Sequence, residues 1–166
     1  MKKIATLLMK ELNYLKKEAA KLQQEDVDLS NVPLNENMQA IYDTGYVYEN
    51  NRAKIKQIHE EELKIKSALA RFNSVTKVMG LDITIAEALV RIGQIKSEID
   101  ALTYLANQAE YVECRKHNIY GNEVSSVRKI NYSKERVSQD LEALRKELTA
   151  IQIAIDKTNL TSEVEY

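Results

Sequence analysis

The chain is poor in the residues that interrupt helices or crosslink segments. Its 166 residues include four glycines, one proline (Pro33), one cysteine (Cys114), one phenylalanine (Phe72) and no tryptophan. So few backbone breakers favour long helices over a many-stranded sheet, which needs frequent turns. A single cysteine cannot form a disulfide within the chain, which fits a reducing compartment. The core must therefore be mainly aliphatic, with nine tyrosines as the remaining aromatic surface.

Charge and hydropathy argue against a strong overall field and against a membrane span. Lys and Arg total 24 against 25 Asp and Glu, so no global charge attracts nucleic acid or anionic lipid. The first apolar run ends at Met9 and is too short for a signal peptide. No stretch approaches the ~18 apolar residues of a membrane span. We expect a cytoplasmic protein with no membrane partner, forming a single domain over residues 1–166.

Apolar residues recur in alternating steps of three and four, the spacing that gives a helix one apolar seam. The pattern predicts helices over about 2–24, 47–78, 84–110 and 133–157, with a connection at 25–46 and an insertion at 111–132. Seams of this length predict an all-α fold of long antiparallel coiled-coil-like helices in a bundle. The first seam is Met1, Ala5, Leu8, Leu12, Leu15, Ala19 and Leu22; the third is Ile85, Ala88, Ile92, Ile95, Ile99, Leu102, Ala106 and Ala109; the fourth is Val137, Leu141, Leu144, Leu148, Ile151 and Ile155.

The predicted fourth helix also has a second apolar side. Ala143, Ala150, Ile153 and Ala154 lie off its main seam. A helix with two apolar sides usually packs against two neighbours, in its own chain or in another subunit. We therefore expect the chain to form a homo-oligomer, while the sequence names no other protein partner.

Position 62 interrupts the seam of the second helix. Ile55, Ile58 and Ile65 keep the heptad register, but Glu62 occupies a seam position between them. A polar residue there can fix register at a cost in stability. Alternatively, the helix rolls its face so that Glu62 is exposed and Leu63 is used instead. The pattern favours the rolled helix.

Residues 83–87 (ITIAE) contain the clearest helix start. Thr84 can cap the free amides while Glu87 reaches back, which is the pattern of a capping box. Gly80, just upstream, is predicted to end the preceding helix. The third helix should therefore begin close to Thr84.

Residues 111–121 (YVECRKHNIYG) gather the rare residues of the chain. Cys114 and His117 have a C-x-x-H spacing, but a closed zinc site needs four ligands. With His59 as the other histidine, one chain cannot supply them, although a site shared across a symmetric oligomer stays open. No catalytic arrangement is visible around the thiol, so we expect no cofactor, metal site or catalytic residue and predict a non-enzymatic protein. An enzyme or toxin acting through Cys114 is the alternative.

The same insertion combines basic residues with tyrosines, and its Gly121-Asn122 pair predicts a two-residue turn. We expect an extended segment or a β-hairpin here. Stacking rings and phosphate-neutralising cations are typical of single-strand binders, although the chain is not basic overall. The other interpretations are a solvated rim or pairing with acidic residues of another subunit. The candidate interface or nucleic-acid contacts are Arg115, Lys116, Tyr120, Arg128, Lys129 and Tyr132.

From about residue 69 onward the chain contains an ordered succession of segments: 70–73 (ARFN), 83–89 (ITIAEAL), 102–109 (LTYLANQA), 128–132 (RKINY) and 159–163 (NLTSE). In this succession it resembles a family of small bacterial helical proteins of unknown function, some of them labelled septicolysin-like. The first helix fits this family loosely and the 25–50 connection departs from it. The resemblance implies a coiled-coil-rich helical bundle that self-associates.

The sequence therefore predicts a non-enzymatic structural or protein-interaction protein that self-associates through heptad helices. The alternative function is a nucleic-acid binder that uses the basic, Tyr-containing segment 111–136.

Overall fold

The computed structural model describes residues 2–117 and 123–166, without the side chains at positions 116, 117, 123 and 124. Within these ranges the chain forms four helices and short antiparallel strand pairs, one of them in the predicted insertion. The coarse prediction of a mainly helical chain is thereby confirmed. The helices are α1 Ala5–Asp28, α2 Tyr48–Val75, α3 Ile85–Ala106 and α4 Lys134–Thr161; the strands are β1 Lys2–Ile4, β2 Tyr111–His117, β3 Glu123–Lys129 and β4 Glu163–Glu165.

The chain divides into two compact units. Unit 1 comprises Met1–Ile85 together with Asp156–Tyr166, and unit 2 comprises Ala86–Ile155. Unit 1 therefore contains α1, α2 and the β1–β4 pair, whereas unit 2 contains the β2–β3 pair and most of α3 and α4. That residues 1–166 act as one domain stays a prediction.

In unit 1, α1 and α2 run antiparallel, since the start of α2 is bonded to the end of α1. The side-chain amide of Asn51 donates to the carbonyl of Leu22 at 2.8 Å. At the other end, β4 contacts the α2 helix and pairs with β1. Burying apolar side chains between the helices supplies most of the stability of such a pair. The buried apolar residues of α1 and α2 are Ala5, Leu8, Ala19, Ile55, Ile65, Ala68, Leu69 and Phe72.

In unit 2, α3 and α4 also run antiparallel. Arg91, near the start of α3, donates through Nε to Oε1 of Glu147 at 2.8 Å and through Nη2 to Oε2 at 3.1 Å. At the opposite end of α3, the Tyr132 hydroxyl donates to the carbonyl of Leu105 at 2.7 Å. The buried apolar side chains of this unit all belong to the predicted seams: Ala88, Ile95, Val137, Leu141, Ile151 and Ile155.

The interpretation that α2 rolls away from Glu62 was wrong. Glu62 is buried at 8% exposure, whereas Leu63 is 66% exposed. Lys66, one turn along, donates from Nζ to the Glu62 carboxylate at 2.6 Å, so the charge keeps a partner at the edge of the seam. The heptad register through Ile55 and Ile65 therefore continues across a polar residue.

The predicted start of the first helix at residue 2 was also wrong. Residues Lys2–Ile4 form β1 and pair with β4, and the Ala5 amide donates to the Ser162 carbonyl at 3.1 Å. Met1, a predicted seam residue, lies outside the described residues. Periodicity over a short window carries no information about pairing with the far end of the chain, so the strand could not be predicted this way.

The ends of the first two helices differ from the prediction. The α1 helix continues to Asp28 instead of residue 24, because the Leu29 amide still donates to the Glu25 carbonyl at 3.0 Å. The connection is accordingly 29–47. The α2 helix ends at Val75 instead of residue 78, and Gly80 does not cap it. Gly80 has φ of 81° in a turn closed by a hydrogen bond from the Leu81 amide to the Val78 carbonyl, where glycine adopts this conformation without strain.

The ends of the last two helices differ as well. The α3 helix ends at Ala106 instead of residue 110, since the Gln108 amide already turns back to the Leu105 carbonyl at 3.2 Å. The α4 helix continues to Thr161 instead of residue 157. Thr158 is buried in unit 1, and its hydroxyl oxygen accepts the Met79 amide at 2.9 Å, which holds the extra turn in place. A tertiary contact therefore sets the end of α4, whereas α3 ends in a local turn.

Candidate interaction surface

The predicted insertion contains the antiparallel strand pair β2–β3. Its backbone register runs from Tyr111 opposite Lys129 to His117 opposite Glu123, and the Ile130 amide extends the ladder to the Glu110 carbonyl at 3.1 Å. This is the β-hairpin arrangement that the sequence left open. The predicted turn at 121–122 lies outside the described residues, as does Tyr120.

The register divides the predicted basic contacts between the two faces of the strand pair. Residues directly opposite each other project to the same side, and successive residues alternate. Arg115 and Lys129 therefore share a face with Tyr111 and Val127, while Arg128 projects from the other face. Lys116 is paired through its backbone, but its side chain lies outside the description. The shared face carries Tyr111, Arg115, Val127 and Lys129 together with Glu113, and it is called the Tyr111 face below.

The cations of the Tyr111 face have acidic and aromatic neighbours. Lys129 Nζ lies 3.6 Å from a carboxylate oxygen of Glu110 and 5.3 Å from the centre of the Tyr111 ring. Arg115 Nη2 lies 4.0 Å from a carboxylate oxygen of Glu113. These side chains are all exposed, and exposed ion pairs are weak and exchangeable. Sequence reasoning did not single out the Tyr111 ring.

Tyr132 lies beyond the end of the strand pair, although it lines a cavity together with Lys129. It precedes α4, is only partly exposed, and its hydroxyl is bonded to the Leu105 carbonyl at the end of α3. Ser133 beside it caps α4, because its hydroxyl oxygen accepts the Arg136 amide at 3.1 Å. Tyr132 therefore lies where the chain passes from the strand pair into α4, and its hydroxyl links this point to the end of α3.

The Cys114 and His117 pair gains no further ligand in the described structure. Cys114 is partly exposed on β2 opposite Ser126, and the side chain of His117 lies outside the description. Among the described residues, no group of three or more His, Cys, Asp or Glu side chains could hold a metal ion. His59 is in unit 1, exposed in a shallow groove along α2 that Leu63 also lines.

A polar cluster around Asp26 was missed by sequence reasoning. Its carboxylate accepts the Tyr46 hydroxyl at 2.6 Å and the Asn51 amide at 2.7 Å, and Arg52 Nη1 lies at 3.4 Å. The Tyr46 hydrogen bond, with those from Asn51 and Arg52, holds the pKa of Asp26 below its usual value. The same carboxylate raises the pKa of Tyr46 to about 12. These donors all bond to one carboxylate, so the cluster holds the end of the 29–47 connection against α1 and α2. It shows no catalytic arrangement.

The connection contains a compact acidic loop, residues 33–43. The Ile41 amide donates to the Pro33 carbonyl at 2.9 Å, and the Asn35 amide donates to the Gln39 carbonyl at 2.8 Å. The Asn35 side-chain oxygen accepts two further backbone amides, those of residues 37 and 39. Met38 at the tip has φ of 60°, an uncommon conformation for a residue with a side chain. The loop therefore has a defined fold of its own.

The acidic loop exposes both apolar and acidic side chains. Its exposed apolar residues are Leu34, Met38, Ile41 and Tyr42. Its carboxylates, Glu36 and Asp43, are exposed too. Residues 25–50 contain six acidic residues and no Lys or Arg.

The comparisons with protein-family models, curated proteins and solved structures found no match. In the part of the chain that the structure describes, no helix is long and apolar enough to cross a membrane. The resemblance to the septicolysin-like helical family stays a prediction.

Proposed function

We propose that this protein is a non-enzymatic structural or interaction protein that self-associates through its heptad helices, as a cytoplasmic homo-oligomer. In this proposal the antiparallel helix pairs are coiled-coil-like, and their uncovered apolar sides are joined in a bundle with those of other copies.

The incomplete covering of the seams supports the proposal. In α1 the seam residues Leu12, Leu15 and Leu22 remain partly exposed. The same holds in unit 2 for seam residues on both helices, namely Ile92, Ile99, Leu102, Leu144 and Leu148. A helix that contacts a single neighbour covers its seam from one side only, and a second neighbour would bury the remainder.

Exposed apolar residues beside the seams add to this argument. Leu7 and Tyr14 lie seven residues apart on one side of α1, and Leu63 is exposed on α2. In unit 2, Leu89, Val90 and Ile153 are exposed on α3 and α4. Single exposed apolar residues are ordinary on protein surfaces, but residues that continue a seam are typical of helix–helix interfaces.

Sedimentation of the purified chain over a wide concentration range tests the proposal. We expect a concentration-dependent mass above that of one 19.0 kDa chain. Leu63→Ser should shift the distribution toward the single chain without changing helical content. Gln57→Ser, at an exposed polar position of the same helix, is the matched control and should have no effect. A single-chain mass at every concentration contradicts the proposal.

The alternative function, binding of single-stranded nucleic acid through segment 111–136, has one specific observation in its favour. The exposed Tyr111 ring lies beside Lys129 and shares a face with Arg115, so a base could stack on the ring while the cations contact phosphates. Phosphate contacts release counterions, so such binding must weaken with salt. Binding of single-stranded RNA or DNA that is absent, or insensitive to salt, contradicts this alternative.

A further inference from the structure

The outer edge of β2 is not covered by another strand. The Ile130 amide donates to the carbonyl of Glu110, which lies directly opposite it when the strand register is extended by one residue. Bonded pairs alternate along an antiparallel ladder, so Cys114 also bonds toward β3. Its neighbours Glu113 and Arg115 direct their backbone groups to the outer edge. Within the described residues β2 pairs with β3 alone, so this edge has no second strand beside it.

The strand pair is also uncovered on both of its faces. The described side chains of residues 111–115 and 125–129 are exposed, apart from the partly exposed Cys114. An isolated pair of antiparallel strands is at best marginally stable in water, and a further strand or a packed helix normally supplies the missing stability. An outer edge on such a pair therefore favours the addition of a strand from another chain.

The β2 strand is complementary to a second copy of itself in antiparallel orientation. Cys114 is the middle residue of the seven-residue strand Tyr111–His117, so a two-fold axis at Cys114 overlaps the whole strand. In this register Glu113 of each copy lies directly opposite Arg115 of the other. Both residues direct their backbone groups outward, as a bonded pair between the copies requires. Opposite charges in directly opposed positions stabilise strand pairing.

The ion pair within each copy is compatible with this register. Arg115 Nη2 lies 4.0 Å from a carboxylate oxygen of Glu113 two residues away, and both side chains are exposed. Across the axis the four charges alternate in sign, so each keeps its neighbour along the strand and gains an opposite charge from the other copy. Moving the axis to Glu113 or to Arg115 would place two identical charges directly opposite, which is destabilising. Charge therefore favours the register centred on Cys114 over the two nearest ones.

We propose that the β2 strands of two copies pair antiparallel at their outer edges about a two-fold axis at Cys114, so that two strands from each copy form one four-stranded sheet. The inference deepens the proposed self-association by naming a contact outside the helices, and it rests on that proposal for its second copy. The same surface is used on both copies, so the contact closes as a pair and does not continue into a filament.

Oxidative crosslinking of the full chain tests this contact, because Cys114 is the only cysteine. In the proposed register the two Cys114 residues form a directly opposed pair without backbone bonds between them, with Cα atoms about 4.5 Å apart. A disulfide spans Cα distances of roughly 4.4–6.8 Å. Copper phenanthroline takes one electron and one proton from each thiol, so the two sulfurs can bond. Electrophoresis without reductant should then show a species of twice the 19.0 kDa of one chain.

Moving the thiol by two residues provides the matched control. Val112→Cys with Cys114→Ser places the cysteine on the same face of β2, at a position where Val112 is 43% exposed. Collisions between copies would crosslink this exposed thiol at least as fast as that of Cys114. In the proposed register position 112 lies opposite position 116 of the other copy, beyond the reach of a disulfide to its own counterpart. The control should therefore crosslink at least about tenfold more slowly.

Three charge variants test the register. Glu113→Arg and Arg115→Glu each place like charges opposite each other, so each should lower the initial crosslinking rate at low protein concentration at least about fivefold. The two changes shift ionisation of the neighbouring thiol in opposite directions, so a fall in both variants reports strand pairing. The double variant Glu113→Arg with Arg115→Glu restores both opposite pairs and should crosslink like the natural chain. Circular dichroism verifies that helical content is unchanged.

The outcomes separate this contact from association through the helices. If the natural chain associates in sedimentation but Cys114 does not crosslink, the edge is not paired with a second copy and the contact is wrong, while self-association stands. If the chain is single at every concentration and does not crosslink, both fail. If Glu113→Arg alone is single at every concentration while the natural chain associates and crosslinks, the contact stands and association through the helices fails.

Two further results would overturn the register. One is a Val112→Cys control that crosslinks as fast as the natural chain, because the thiols would then meet by collision or in a different alignment. The other is a double charge variant that crosslinks as slowly as the single variants, because Glu113 and Arg115 would then not lie opposite each other.

Discussion

Replacing Ile65 or Leu63 with alanine should have very different consequences, although both changes remove an aliphatic side chain from the same helix two residues apart. Ile65 on α2 is fully buried at 0% exposure, whereas Leu63 on the same helix is 66% exposed. The pair is therefore a direct test of which face α2 turns toward α1. The sequence pattern had favoured a helix that uses Leu63.

The magnitudes follow from burial. Alanine lacks three carbons of either side chain, and about 0.8 kcal/mol for each buried carbon gives about 2.4 kcal/mol of lost transfer free energy at Ile65. A residual cavity adds to this cost, so Ile65→Ala should lower the free energy of unfolding by about 2–5 kcal/mol. Only about a third of the transfer free energy applies at Leu63, which leaves about 0.8 kcal/mol.

Urea denaturation monitored by circular dichroism measures both changes. The protein concentration must be one at which sedimentation shows the single chain, because association would add its own stabilisation. Equal destabilisation by the two substitutions, or a larger effect of Leu63→Ala, would refute the reasoning. Either result would mean that α2 in solution turns Leu63 into the seam.

Two further predictions concern hydrogen bonds of single tyrosines. The folded-state pKa of Asp26 lies below its ordinary value near 3.8, so its ionisation stabilises the fold above that pH, and this stabilisation is lost as pH falls through the folded pKa. Tyr46→Phe removes the main cause of the shift and should make the melting temperature less sensitive to pH between about pH 5 and pH 2; an unchanged acid dependence contradicts this. Tyr132→Phe removes the donor to the Leu105 carbonyl, a hydrogen bond that contributes about 0.5–1.5 kcal/mol to stability. Amide hydrogen exchange in the strand pair should therefore become faster, while helical content stays constant. Unchanged exchange would show that the hydroxyl does not hold the base of the strand pair.

The sequence predicted those parts of the fold that depend on neighbouring residues. The α3 helix begins at Ile85, directly after the predicted capping residue Thr84. The buried residues of unit 2 are seam residues, since apolar spacing along a helix determines which side can be buried. The strand pair in the insertion was left open because the apolar alternation around it is imperfect.

Features that depend on distant partners could not be predicted. Strand β1 exists because Lys2–Ile4 meets Glu163–Glu165, and no local pattern marks three residues as a strand. Burial of Glu62 depends on the roll of α2 against α1, which the seam alone does not determine. The Asp26 cluster joins residues 20 and 25 positions apart, and it forms only when the connection folds back onto both helices.

The candidate surface was predicted in part for a similar reason. The basic composition of segment 111–136 is a sequence property, but the division of Arg115 and Arg128 between opposite faces follows from strand register. Tyr132 was grouped with the basic residues because it is near them in sequence, whereas its hydroxyl is bonded to α3. The compact fold of the acidic loop depends on backbone hydrogen bonds that composition does not specify.

Sedimentation equilibrium of the natural chain from nanomolar to high micromolar concentration tests the central claim most directly. If the incompletely covered seams are joined between copies, the weight-average mass rises from 19.0 kDa toward a multiple of it as concentration increases. A mass of 19.0 kDa at every concentration would contradict self-association through these helices.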